Sequence, residues 1–303
     1  MKKRGNIKAN LSPNRFPIVE FITHIAFYGT RLILYTTARG TSFKTLNHVV
    51  ASASAIIIGY VFSLFLLAFV LYNLLKENTY GYCLAAVMML HNFLLSITIL
   101  MLMRVDIRIK RRYWIAGLMI STSYILEMFI TIFFIYKKRK ESNKAVFRNI
   151  GADPAINDMF SIRQRLQTFG SIDLFIAIVI AKNLYLPPQI FSFKFEHITI
   201  AILALTVLQH VFVYAKFHDE DITQRKMAIV ITIVKAVVAA LLIVLIAANY
   251  TSSEYLTRVI KIMLCTDLLV LTLVFLYYLW KDMKNFGKGL KKHILFRTRE
   301  LTL

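Results

Sequence analysis

Apolar residues run along this chain in long unbroken stretches, set apart by short polar segments that collect most of the lysine and arginine. A bilayer core of about 30 Å is crossed by about 20 helical residues, each adding about 1.5 Å. Seven stretches meet that length, near 48–75, 81–103, 113–136, 167–187, 196–216, 227–250 and 257–280. The most apolar are Ala51–Leu75 and Met227–Tyr250. Backbone groups in hydrocarbon must find their partners inside their own segment, so these stretches are expected to be helices. None alternates apolar and polar positions as a barrel strand would. An eighth stretch, Phe16–Thr36, is marginal because it carries Glu20, His24 and Arg31. It either spans or lies in the interface with its apolar face down. It is no cleavable signal peptide, since its apolar run is interrupted and no small-residue cleavage site follows. The expected fold is an all-α polytopic transmembrane helix bundle, with seven spans and an eighth at 16–36. A basic N-tail over 1–47 precedes the bundle at 48–280, and a basic amphipathic cytoplasmic tail covers 281–303.

Composition agrees with the pattern. Apolar types make up 58% of the 303 residues and charged types 17%, against about 45–50% and about 25% in soluble domains. Two cysteines cannot build a disulfide framework. The formal net charge is +21, which on a soluble protein suggests nucleic acid. No nucleic-acid motif supports that reading, so no nucleic-acid partner is expected. The basic residues sit instead where the spans emerge. If Phe16–Thr36 spans, 24 Lys and Arg fall on one side and 9 on the other; if it does not, the division is 19 against 14. Basic residues accumulate in cytoplasmic loops, so the sharper asymmetry favours eight spans with both termini cytoplasmic. The five basic residues within Arg104–Arg112 fit poorly on the external side. The expected partners are the bilayer and its anionic headgroups, where a surface Lys or Arg contributes about 1 kcal/mol. Lys137, Lys138, Arg139 and Lys140 form one such patch, and Lys288, Lys291 and Lys292 another.

The longest connection is expected to be Lys137–Leu166. Within it Gly151-Ala152-Asp153-Pro154 reads as a turn and a helix start, with Asp153 as cap and Pro154 in the first helical position. From Trp280 onward, Met283, Phe286, Leu290 and Ile294 recur at spacings of three and four among lysines, which predicts an amphipathic surface helix. His218-Asp219-Glu220-Asp221 lacks the ligand spacing of a calcium loop and reads as a solvated capping turn.

A charge at mid-bilayer costs about 2.5–3.5 kcal/mol on insertion scales, so intramembrane charges locate candidate function. Glu127 and Asp267 fall near the middle of their spans, Lys235 and Asp173 lie well inside theirs, and His91-Asn92 and Gln209-His210 add polar pairs. One reading has the acids paired with lysines as interhelical links. The other has Glu127, Asp173, Lys235 and Asp267, with His91 and His210, lining one polar path or ligand pocket. Phosphate-loop, dinucleotide, zinc-protease and hydrolase motifs are missing, so neither an enzymatic activity nor a cofactor or metal is expected. Three functions follow: a small-solute or ion pathway, a seven-helix-like receptor or ligand-gated protein, and a non-transporting membrane scaffold. A homo-oligomer is compatible with any of them. The ligand, and the choice between plasma membrane and endomembrane, are not written in the sequence.

The segment Phe147–Ile180 adds one likeness. Gly151, Ala152, Asp153, Phe160, Gln164, Asp173 and Phe175 match a pattern of Gly-Ala-Asp turn, aromatic, glutamine and a span opening on an aspartate. In this it resembles a family of uncharacterised multi-pass membrane proteins found mainly in fungi and related eukaryotes. The family usually has lysine two residues before that aspartate, where this chain has Ser171. The likeness covers about a tenth of the chain. It implies a eukaryotic source and a cytoplasmic loop leading into a span, and it carries no activity.

Overall fold

A computed structural model describes residues 16–39, 46–75, 78–104, 111–150, 154–184, 193–214, 220–248 and 255–288. Among them are eight helices and no strand: α1 (Phe16–Arg39), α2 (Leu46–Leu75), α3 (Thr79–Arg104), α4 (Arg111–Ile150), α5 (Pro154–Leu184), α6 (Phe193–Tyr214), α7 (Ile222–Ala248) and α8 (Tyr255–Met283). Seven have a stretch long and apolar enough to cross a membrane, including Ile18–Thr36 in α1; in α2 the described apolar stretch is Gly59–Leu75. The chain is an all-helical, multi-pass membrane protein.

Its faces are reversed from those of a soluble protein. Ile18, Phe129 and Val237 are 60%, 60% and 64% exposed, while His24, Arg31, Asp173 and Lys235 are 0% exposed. A soluble fold would expose those charges and bury those hydrocarbons. When the surrounding solvent is lipid tail, the opposite sorting minimises the free energy, because hydrocarbon outside is already solvated and charge needs a partner inside. α7 displays this along its length. Its buried residues include Arg225, Ala228, Thr232, Lys235, Ala239, Leu242 and Ile246, one helical face. Val230, Val237, Leu241 and Val244 look outward.

The helices group into two rings of four. In the first, α1 packs on α2 and α4, and α3 packs on α2 and α4. In the second, α5 packs on α6 and α8, and α7 packs on α6 and α8. Contact between the rings is sparse and runs through α2, α3 and α4 against α5, and α3 against α8. Phe175 of α5 anchors this seam. It stacks on Phe65 with ring centres 3.6 Å apart and meets Phe62 edge-on at 5.2 Å. Asn78 adds a hydrogen bond to Thr168 at 3.0 Å.

Two expected elements differ. The segment expected as a long loop, Lys137–Leu166, is helical over most of its length: α4 continues to Ile150 and α5 starts at Pro154. The hydropathy pattern ends at Tyr136, but Lys, Arg, Glu and Ala are strong helix formers, and nothing stops the backbone before Gly151. Pro154 occupies the first helical position as expected, while Asp153 lies outside the described residues. The surface helix expected from Trp280 also differs. α8 ends at Met283, and the chain then turns through Lys284–Lys288 with Gly287 at a φ of 78°. The remaining tail, with Lys291 and Lys292, lies outside the described residues, as do the side chains of Lys138, Arg139 and Lys140. Lys137 and Lys288 are exposed.

Candidate functional site

The intramembrane charges do not converge on one path. They divide into separate centres, one inside each ring, one on the seam between them and one at an end of the second ring.

The first centre is organised by α1. Glu20, His24, Arg31 and Tyr35 fall within about 60° of arc at 3.6 residues per turn, so they share one face, and all four are buried. That polar stripe is why the segment's hydropathy is marginal: its inward face is polar and its outward face is apolar. Glu127 of α4 sits opposite. Its Oε1 lies 2.8 Å from Nδ1 of His24, and its Oε2 accepts from Arg31 Nη1 at 2.5 Å. One carboxylate thereby ties together two turns of α1. The Arg31 guanidinium lies 4.3 Å from the centre of the Tyr124 ring. The Tyr124 hydroxyl is 2.5 Å from Ser63 Oγ on α2. Glu20 lies beside the Tyr82 hydroxyl of α3.

The second centre links all four helices of the other ring. Lys235 of α7 donates to Asp173 Oδ2 at 2.5 Å and to Gln209 Oε1 at 3.4 Å. Asp173 of α5 also accepts from Gln209 Nε2 of α6 at 3.3 Å and from Thr272 Oγ1 of α8 at 3.2 Å. Each of these residues is completely buried. One lysine against one aspartate leaves no net charge, and the amide and hydroxyl take up remaining lone pairs. His210, expected on the same path, does something else. Both of its ring nitrogens face backbone carbonyls, Nδ1 to Thr206 at 2.7 Å and Nε2 to Gly170 at 2.9 Å. It fastens α6 to α5 and stacks on Phe275.

His91 of α3 and Asp267 of α8 form the third centre, with His91 Nε2 3.1 Å from Asp267 Oδ1. This pair joins the two rings. Its side chains are 38% and 24% exposed, unlike the buried charges of the first two centres. Asn92, beside it in sequence, is buried.

A fourth cluster lies where α5 and α7 begin and α8 ends. Arg163 donates from Nε to Asp282 at 3.1 Å and from Nη2 to Glu220 at 3.1 Å, and Arg225 Nη2 reaches Asp282 at 2.8 Å. Phe286 lies under both guanidinium groups at 5.7 and 5.4 Å. Glu220 also accepts from the Gly287 amide at 3.0 Å. The expected capping turn is present, since Asp221 Oδ1 accepts from Thr223 N at 2.9 Å. Its neighbour Glu220, however, is a half-buried ion-pair partner of Arg163.

Glu127, Asp173, Lys235, Asp267, His91 and His210 stand out in the sequence, where acids paired with lysines and one shared path are the two readings; the Asp173–Lys235 pair fits the first. The first four and His91 each have an ionic partner. Sequence reading missed His24 and Arg31 as partners of Glu127, and Arg163, Arg225, Glu220 and Asp282 altogether. A signal for the first group was present in the one-face spacing of α1. The second group sits at helix ends, where charges are ordinary and carry no signal. Among the described residues no cluster of three His, Cys, Asp or Glu has a metal-holding arrangement. Comparison with family models, curated proteins and solved structures returns no match to this chain.

Proposed function

We propose that the chain carries a small solute or ion along the seam between its two helix rings, with His91 and Asp267 as the polar residues that meet it. The supporting observation is the exposure of that one pair. A charged group inside an apolar span is stable only against a partner, protein or water. The first and second centres satisfy this by burial within a ring; His91 and Asp267 are left part-open where packing between the rings is thinnest. Each ring holds its own ionic centre, which favours motion of rings as units. Carriers commonly move in this way, one bundle against another around a site at their junction. Of the two readings the sequence allowed, separate pairing fits Glu127 and Asp173.

The test is transport by purified protein in liposomes. Vesicles loaded with a pH-reporting dye are given an acid step, and parallel vesicles are offered labelled amino acids, sugars and organic cations. Flux should appear with wild type and fall at least tenfold with Asp267→Asn, with folded protein recovered in equal yield. Equal flux from D267N and wild type would defeat this reading. A second reading, a non-transporting scaffold, draws on the closed, neutral Asp173–Lys235 centre. It predicts no flux of any probe.

A further inference from the structure

The first ring contains a charge imbalance. Two carboxylates, Glu20 and Glu127, face one guanidinium, Arg31, and all three are at most 3% exposed. Arg31 is committed to Glu127. Among the described residues Glu20 makes no salt bridge, and its Oε1 has no hydrogen-bond partner. With a neutral imidazole at His24, the described residues of the site hold one uncompensated negative charge. A buried carboxylate in that state takes up a positive charge or becomes neutral, because an isolated ion is very poorly solvated there. An imidazole one helical turn from Glu20 on the same buried face offers the basic nitrogen that a proton needs.

The geometry points to His24 and Glu20 as a two-residue proton-binding site inside the first ring, held in place by Glu127 and Arg31. His24 lies one helical turn from Glu20 on the same face of α1. Its Nδ1 is engaged by Glu127 at 2.8 Å, so Nδ1 carries the hydrogen and donates. That leaves Nε2, which has no hydrogen-bond partner among the described residues, as the bare basic nitrogen. The remaining described groups around the site do not supply the missing charge. Tyr82 of α3 and Tyr124 of α4 are neutral phenols, His24 meeting the Tyr82 ring edge-on with centres 6.3 Å apart. Tyr28 is engaged with Tyr60 of α2. The other centres differ: Asp173 has Lys235, and the Arg163–Glu220–Arg225–Asp282 cluster is balanced. The proton binds here whether or not a solute crosses the seam, so this inference goes beyond the carrier reading.

The experiment uses the full chain in lipid nanodiscs at pH about 7, near the free imidazole's ordinary midpoint of about 6.5, and needs no transport. Imidazole nitrogens are followed by NMR with isotope-labelled histidine, His24 being assigned by loss of its signal in His24→Gln. Infrared spectra report protonated carboxyl groups. Wild type should show either an imidazolium at His24 or a protonated-carboxyl band that disappears in Glu20→Gln. E20Q, which removes the surplus charge, should show a neutral His24, and H24Q should leave the proton on Glu20. A neutral His24 in wild type without a Glu20-dependent carboxyl band overturns the proposal, and so does an imidazolium that persists in E20Q. Should E20Q fail to fold, the wild-type and H24Q spectra decide alone: neither signal in both means no proton is bound.

Discussion

Replacing Lys235 by methionine tests how the second ring is held together. Methionine keeps most of the stem volume and removes the ammonium. Asp173 would then keep its hydrogen bonds from Gln209 at 3.3 Å and Thr272 at 3.2 Å but lose its counter-charge at 2.5 Å. Removing one partner of a buried pair costs about 3–5 kcal/mol. The upper end is limited, because Asp173 can escape by taking a proton. Holding a carboxyl protonated at pH 7, about three pH units above its ordinary value near 3.9, costs about 4 kcal/mol. The same term falls to about 1.5 kcal/mol at pH 5. The K235M variant should therefore lose about 3–4 kcal/mol at pH 7 and regain roughly half of it at pH 5. Adding Asp173→Asn removes both charges together while keeping an acceptor for Thr272. The double variant should come within about 1.5 kcal/mol of wild type, well short of the sum of the losses from K235M and Asp173→Asn made singly. Unfolding in nanodiscs at the two pH values measures K235M, Asp173→Asn alone and the double variant. A loss below about 1 kcal/mol in K235M, or a double variant equal to the sum of its singles, would refute a buried, charge-paired centre.

Three further outcomes follow from the same structure. Asp282→Asn should remove the negative charge that Arg163 and Arg225 share, leaving Arg163 its bond to Glu220, at a cost of about 3 kcal/mol; hydrogen exchange should rise at residues 220–225 and 283–288 and stay unchanged around Lys235. Gly170→Ala should cost about 1–3 kcal/mol, because the new methyl would meet the Tyr214 hydroxyl at 2.5 Å and Phe275 at 3.0 Å. Adding Tyr214→Phe should restore part of that loss in a thermal melt. Phe129→Leu, on a side chain 60% exposed toward lipid, should stay within about 0.5 kcal/mol of wild type; a large loss would mean that this face is packed against protein.

Much of the architecture was legible along the chain because the bilayer imposes a length. A run such as Met227–Tyr250 has few ways to satisfy its backbone in hydrocarbon, and α7 lies over it. The eighth helix was harder to read, since Glu20, His24 and Arg31 lower the apparent hydropathy of a segment whose outward face is apolar. A residue average cannot separate the two faces; the 3.6-residue period can. The extension of α4 beyond Tyr136 was missed for the opposite reason. Hydropathy marks where a helix leaves the membrane, whereas the helix ends only where the backbone is interrupted.

The sequence by itself determined that the chain spans a membrane as helices and that certain carboxylates and lysines must find partners inside it. Only the tertiary structure decided the pairings: Glu127 with His24 and Arg31, Asp173 with Lys235, Asp267 with His91. The physical reason is range. Spanning depends on residues next to one another, but these partners lie 62 to 176 positions apart, and no local rule says which helix packs beside which. The division into two four-helix rings, with one part-exposed pair on the seam, belongs to packing alone.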